Sequence, residues 1–236
     1  MIILAFEGTA KAASVAVCDS DRLLGLYTID NGLTQSELLL PMAENLLKSL
    51  NLTFRDVELY AVAVGPGSFT GVRIGVSLVK GLAFANNTPC VAVSTLEELS
   101  ENITPLKGIL VPCMDARRGQ LYTATFKSDG CTSERLTPDR AIAISDLAEE
   151  LRAYAGECIY LSGDGYETAF RELSAMGISL SKTPELLICE NAYSVAKIAL
   201  RKYNAGEYTT DDKIAPTYLR MPQAERERLE REKSKQ

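Results

Sequence analysis

At 236 residues the chain is long enough for one large or two small domains with a proper core. Its 46% hydrophobic and 24% charged fractions suit a globular protein, and a net charge of −6 is a poor start for gripping a polyanion. Histidine is absent altogether, which excludes H-E-x-x-H zinc sites and Ser-His-Asp or Cys-His catalysis and removes the side chain best suited to proton transfer near neutral pH.

The opening MIILAFEGTAKAASVAV has no basic n-region and is interrupted by Glu7, so it reads as a first strand over residues 1–7 rather than a signal peptide. Residues 13–19 pair with it as a hairpin, and 23–29 supply a third strand. Thr34-Gln35-Ser36-Glu37 is a capping box opening a helix towards Leu50, which Pro41 should kink. A buried strand follows at 59–64, then a glycine-rich turn, a helix over 70–85, a strand at 90–93 and a helix opening at Ser94.

The second half restarts the plan. Residues 108–115 and 120–126 form a hairpin across ARRG, 145–154 is helical, 158–162 is a strand, and 191–204 is a helix. Each half ends its first strand in a carboxylate, Glu7 or Asp115, and each carries G-x-G after a later buried strand, at Gly65-Pro66-Gly67 and Gly163-Asp164-Gly165. The expected fold is an α/β duplication: two lobes, each a mixed sheet flanked by helices, at 1–104 and 105–222, with a charged tail at 223–236 carrying a Glu227/Arg231 pair at helical spacing. Six scattered cysteines without a C-x-x-C pair read as reduced thiols of a cytoplasmic protein. The most apolar helix carries Arg73 and Lys80, so no membrane span is expected.

The segment VGPGSFTGVRIGVSLVKGLAFA poses the functional question. It offers no G-x-x-x-x-G-K-[ST] register, and Thr70 stands where a dinucleotide loop needs its third glycine. Gly67, Gly71 and Gly75 instead recur at intervals of four, along one side as the chain enters the helix. Interior helical glycine costs up to about 1 kcal/mol relative to alanine, so Gly75 and Gly81 imply close approach by something. Val72, Val76, Val79 and Ala83 make one apolar stripe, and Ile74, Leu78 and Leu82 make another, more than one sheet face can cover. The helix is either a central core element or has a second face for another protein.

GPGSFTGVRIG resembles the signature of the TsaB (YeaZ) family, and MDARRGQLY and the closing PTYLRMPQAE look like two further signatures, in the right order across most of the chain. The resemblance implies an actin-like ATPase (ribonuclease H-like) fold of two related lobes. It also implies a part in making threonylcarbamoyladenosine at position 37 of tRNAs that read codons starting with A. In that family the small protein is not the catalyst: the larger paralogue, TsaD, holds the metal through histidines and transfers the threonylcarbamoyl group. TsaB pairs with it through N-lobe helices, the P-loop ATPase TsaE joins them, and TsaB alone self-associates through the same helices. On this reading the partner interface takes Phe69, Gly71, Arg73, Ile74, Gly75, Ser77, Leu78 and Leu82. Contact with tRNA is indirect, no membrane is involved, and the chain supplies no catalytic residue and no metal ligand.

The same resemblance puts Glu7, Gly8, Thr9, Asp115, Gly163 and Gly165 around a vestigial nucleotide cleft that binds weakly. The chain itself requires no cofactor, which leaves room for ATP and Mg²⁺ in the complex. Glu7, in FEGT, stands where related proteins usually show an Asp-Thr-Ser type of sequence, and its longer carboxylate suits an octahedral Mg²⁺ shell poorly. Gln35 replaces a histidine common in the family. Asp115 with Arg117 and Arg118 reads as a phosphate clamp or, preferably, as a turn whose Asp accepts backbone N–H groups. Tyr218, Leu219 and Arg220 form a docking strip or a strap on the chain's own lobe. The competing functions are a sugar-kinase-type phosphotransferase using Glu7, Asp115 and the glycine turns around Mg-ATP, and a metallopeptidase, which the missing histidines leave little support.

Overall fold

The computed structural model describes residues 1–220; the tail expected at 223–236, with Glu227 and Arg231, and the end of the closing signature lie outside them. The first three strands are β1 (Ile2–Glu7), β2 (Ala13–Asp19) and β3 (Arg22–Ile29), followed by α1 (Gln35–Ser49). The capping box holds: Glu37 Oε2 accepts from the Thr34 N–H at 2.9 Å, and α1 runs on through Pro41. Then come β4 (Leu59–Ala63), α2 (Phe69–Asn86), β5 (Cys90–Val93) and α3 (Thr95–Ile103). The first sheet has the order β3-β2-β1-β4-β5, with β1, β2 and β3 antiparallel and β1, β4 and β5 parallel. Its central strands are apolar without a break because both faces are covered. Leu4 and Phe6 point to α1 and α2, while Ile3 and Ala5 point to the opposite layer.

The second lobe repeats this with losses. Its strands are β6 (Gly108–Asp115), β7 (Gln120–Thr123), β8 (Phe126–Ser128), β9 (Ser133–Arg135) and β10 (Arg140–Ala143). After α4 (Ile144–Leu151) come β11 (Ile159–Ser162), α5 (Tyr166–Ala175) and α6 (Ala192–Asn204). The strand expected at 120–126 is split into β7 and β8, which keep one register on β6, from Asp115 opposite Leu121 to Gly108 opposite Ser128. The gap faces Val111 and Pro112, and a proline has no N–H for the ladder. β11 runs parallel to β6 as β4 does to β1, and a single parallel bridge from Tyr160 to Ser181 stands where β5 has its counterpart. Helix α5 was not expected, although Tyr166, Ala169, Phe170 and Leu173 carry its period. The helix expected over 145–154 is α-helical only to Leu151 and closes in a 3₁₀ turn, Arg152–Tyr154.

The two halves exchange their last helices. α3 lays Leu96, Leu99 and Ile103, each fully buried, on the second sheet with Leu110 and Met114. Burying each such side chain contributes about 1.5–3 kcal/mol. α6 covers the free face of the first sheet with Val195, Ile198 and Ala199. Between them, Arg201 donates to Glu101 at 2.7 Å, Lys197 pairs with the same carboxylate, and Lys202 donates to Glu97 at 2.8 Å. Among the described residues no helix is long and apolar enough to cross a membrane, and all six cysteines are free, Cys18, Cys90 and Cys113 buried.

Candidate partner surface and interlobe cleft

Helix α2 starts where the chain leaves β4, and Ser68 Oγ caps it by accepting from the Gly71 N–H at 3.3 Å. The preceding glycines let two backbones touch. The Ser68 N–H donates to the Thr9 carbonyl at 2.7 Å, and a Cβ on Gly71 would collide with the Gly8 carbonyl oxygen. They therefore serve packing against the β1–β2 turn and not a phosphate. Gly75 also faces inward, its missing Cβ lying 3.3 Å from Val62 Cγ2. Gly71 and Gly75, expected at a partner surface, are thus buried in their own lobe, because the glycine row marks close approach within the chain.

The two apolar stripes separate as their spacing requires. Val72, Val76, Val79 and Ala83 are buried on the sheet; Ile74, Leu78 and Leu82 are partly buried and pack against the edge of the same core. Outermost runs Thr70, Arg73, Ser77, Gly81 and Phe84, all exposed, with Phe84 76% exposed. The centre of the open face is therefore smaller and more polar than the sequence suggested. Phe84 was missed, although it falls seven residues after Ser77 and three after Gly81, on the same line.

The strip after α6 is a strap. Cys90 and Thr209 exchange backbone hydrogen bonds of 2.8 Å, Ile214 is buried with α1 and α2, and the Thr217 N–H donates to Val64 O at 2.8 Å. Tyr218 stacks on Phe69 with ring centroids 4.9 Å apart and accepts from Arg73 Nε at 2.7 Å. Arg220 crosses to the second lobe and donates to Ala116 O at 3.0 Å.

The expected nucleotide residues divide. Thr9 and Asp115 line a cavity of about 630 Å³ between the lobes, whereas Glu7, Gly8, Gly163 and Gly165 are not in its wall. Gly163 donates its N–H to Ile188 O, and Gly165 donates to Cys113 O at 2.9 Å, so that turn spends its backbone groups at home. Asp115 Oδ1 accepts from the Arg117 N–H at 2.7 Å, as the turn reading requires. Glu7 is fully buried, and one of its oxygens accepts from the Thr9 hydroxyl at 2.6 Å and from the Thr9 N–H.

Behind Glu7 lie two more buried carboxyls, Glu98 of α3 and Glu190 just before α6. Each of the three has an oxygen without a hydrogen-bond partner among the described residues. Burial raises Glu7 against the hydrogen bonds it accepts. Glu98 stands well above the usual carboxylate range through burial and then the charge of Glu7. Glu190 is pushed up to about 8 for the same two reasons. An ATPase of this fold class needs a charged carboxylate at the end of its first strand to face hydrated Mg²⁺. Here that carboxyl is turned into its own turn and packed against two carboxyls that resist ionisation. The residues present do not fit an Mg-nucleotide. Sequence inspection missed Glu98 and Glu190 because they meet Glu7 only through the helix exchange.

The chain is similar to known proteins over most of its length. A tRNA threonylcarbamoyladenosine biosynthesis protein, TsaB of Bacillus subtilis strain 168, is 34% identical over 164 residues, covering 70% of this chain and 72% of the relative. The chain belongs to the TsaB family. TsaB of Escherichia coli K12 is 26% identical over 223 residues, 93% of this chain and 95% of the relative. A family model described as TsaD, tRNA N6-adenosine threonylcarbamoyltransferase, matches residues 34–226, and the transferase of Gluconobacter oxydans is 34% identical over 40% of this chain and 26% of its own. Among solved structures, YeaZ from Pseudomonas aeruginosa superposes with a TM-score of 0.77 at 25% identity over 92% of this chain and 99% of that one. The fold is thus the one that this YeaZ structure shares with the chain.

Proposed function

We propose that the chain is the non-catalytic scaffold subunit required to form N6-threonylcarbamoyladenosine at position 37 of tRNAs reading codons that start with A. It acts in the cytoplasm by binding and activating a larger catalytic paralogue of the TsaD type. The observation that carries this reading is the outer face of α2: Phe84 is exposed and Ile74, Leu78 and Leu82 are only partly buried, on a helix whose inner face packs on the sheet and whose flanks meet α1 and the strap. Apolar surface of this kind, with Arg73 and Ser77 along its middle line, is what a protein partner covers. A TsaE-type ATPase joins the pair, the isolated chain pairs with itself through the same face, and tRNA is touched by the larger subunit. The phosphotransferase alternative has no observation in its favour, since Glu7 faces its own turn.

The test is co-purification with the larger paralogue plus a modification assay with each component omitted in turn. The scaffold reading expects no modification without this chain and none from this chain alone. Full modification in its absence removes the reading.

A further inference from the structure

Both cations of α2 are held by the strap. Lys80 Nζ donates to the Asp212 carbonyl at 3.4 Å, and Arg73 Nε donates to the Tyr218 hydroxyl at 2.7 Å. Tyr218 in turn stacks on Phe69, with ring centroids 4.9 Å apart and planes inclined by 21°. The guanidinium carbon of Arg73 lies 5.9 Å from the Phe69 centroid and 5.5 Å from that of Tyr218. Its lean follows from the sequence, since a long helical side chain points back one turn and Phe69 precedes Arg73 by four residues. The strap that brings Tyr218 there is fixed on either side, by the Thr217 N–H on Val64 O at 2.8 Å and by Arg220 on Ala116 O at 3.0 Å.

This arrangement uses only the Nε side of the guanidinium. Among the described residues Arg73 forms no ion pair, and Nε is its one hydrogen-bonding nitrogen. Arg73 stands on the middle line of the outer face with Ser77 and Gly81, beside Ile74 and Leu78. A partner that covers this face takes the guanidinium out of water. Apolar atoms laid over it would leave its terminal N–H groups buried and unpaired, which is costly for a charged group. A carboxylate meets them in pairs, because its two oxygens match the planar fork. With Nε taken by Tyr218, the edge between the two terminal nitrogens is the one left for that pair. The ring stack holds the fork before binding, so less side-chain freedom is lost when the pair forms.

We propose that Arg73 is the ionic anchor of the α2 face, and that the protein covering this face brings a carboxylate, set in an apolar patch, to the Arg73 fork. Tyr218 is a positioning residue: it acts through Arg73 by fixing the guanidinium from the strap. The inference rests on the reading of α2 as the partner face and adds the chemistry that the partner's surface must carry.

The test is the affinity of the full chain for the larger paralogue at low and high salt. Arg73→Gln should weaken pairing about tenfold or more and flatten its salt dependence, as loss of an interfacial ion pair does. Arg73→Lys keeps the charge but not the fork, and it should weaken pairing as well. Tyr218→Phe keeps the stack on Phe69 and removes only the hydroxyl. It should weaken pairing severalfold in the wild-type background and have no effect in the Arg73→Gln background, a coupling that a merely structural role would not produce. The proposal is overturned if Arg73→Gln pairs like the wild type at both salt concentrations. It is equally overturned if Tyr218→Phe has the same effect, or none, in both backgrounds. Ser77→Arg separates the two readings: if it blocks pairing while Arg73→Gln does not, this inference falls alone, and if neither does, α2 is not the partner face and both fall.

Discussion

Replacing Glu190 by Gln should flatten the dependence of stability on pH. Glu190 is 3% exposed, between α3 and the β1 end, and its carboxyl is raised to about 8 by burial and by Glu7. In the unfolded chain it titrates near the ordinary value of 4.5. A carboxyl raised on folding contributes stability that is full below its unfolded pKa and is lost as pH climbs through its folded pKa. At about 1.4 kcal/mol per pH unit across that window, the loss reaches about 5 kcal/mol, a large part of the 5–15 kcal/mol typical of a domain. Urea unfolding at about pH 5 and about pH 8.5 reads it directly. The wild type should weaken markedly at the higher pH. Glu190→Gln, which never charges, should match it at the lower pH and exceed it by several kcal/mol at the higher. Glu7 and Glu98 are raised as well, so the variant keeps part of the slope. Equal loss in both proteins across this range would refute the reasoning, as would a variant weaker by the same amount at both pH values.

Two glycines of α2 should respond in opposite directions to thermal melting. Gly71→Ala drives a Cβ into the Gly8 carbonyl and should cost about 1–3 kcal/mol, whereas Gly81→Ala meets nothing within 4 Å and should gain about 0.5–1 kcal/mol. Glu101→Gln removes the negative charge that Lys197 and Arg201 share and replaces one of its two acceptor oxygens by a donor, and it should cost about 1–3 kcal/mol near neutral pH. Burial pushes the Glu101 carboxyl up, but Arg201 and Lys197 outweigh it and hold the pKa down. That contribution is present above the ordinary carboxylate pKa and disappears as pH falls through the depressed one, so wild type and variant should converge in acid.

Local signals were the legible part of the fold. The Thr34 capping box, the hairpins, the strand periods and the repeated order of elements all follow from neighbours a few residues apart. What escaped depends on contacts across the chain. The glycine row was seen, but its cause, the Gly8–Gly71 approach, joins residues on different elements, and Gly75 consequently faces Val62 rather than a partner. Glu98 and Glu190 meet Glu7 only because α3 and α6 trade sheets, which no period reveals. The break between β7 and β8 is set by Pro112 on the facing strand, and a proline's effect on its neighbour is not written in the neighbour's own sequence. On α2 the apolar stripes were legible, while the small, polar centre line and Phe84 emerged only with burial.

The most direct test of the scaffold account is the affinity of the full chain for the larger paralogue when Ser77 is changed to Arg. Ser77 lies on the outermost line of α2, so the substitution leaves the lobe's own packing intact. The account predicts an unchanged melting temperature, pairing weakened about tenfold or more, and no such loss for Glu167→Arg on the exposed side of α5. Ser77→Arg pairing with wild-type affinity would contradict it.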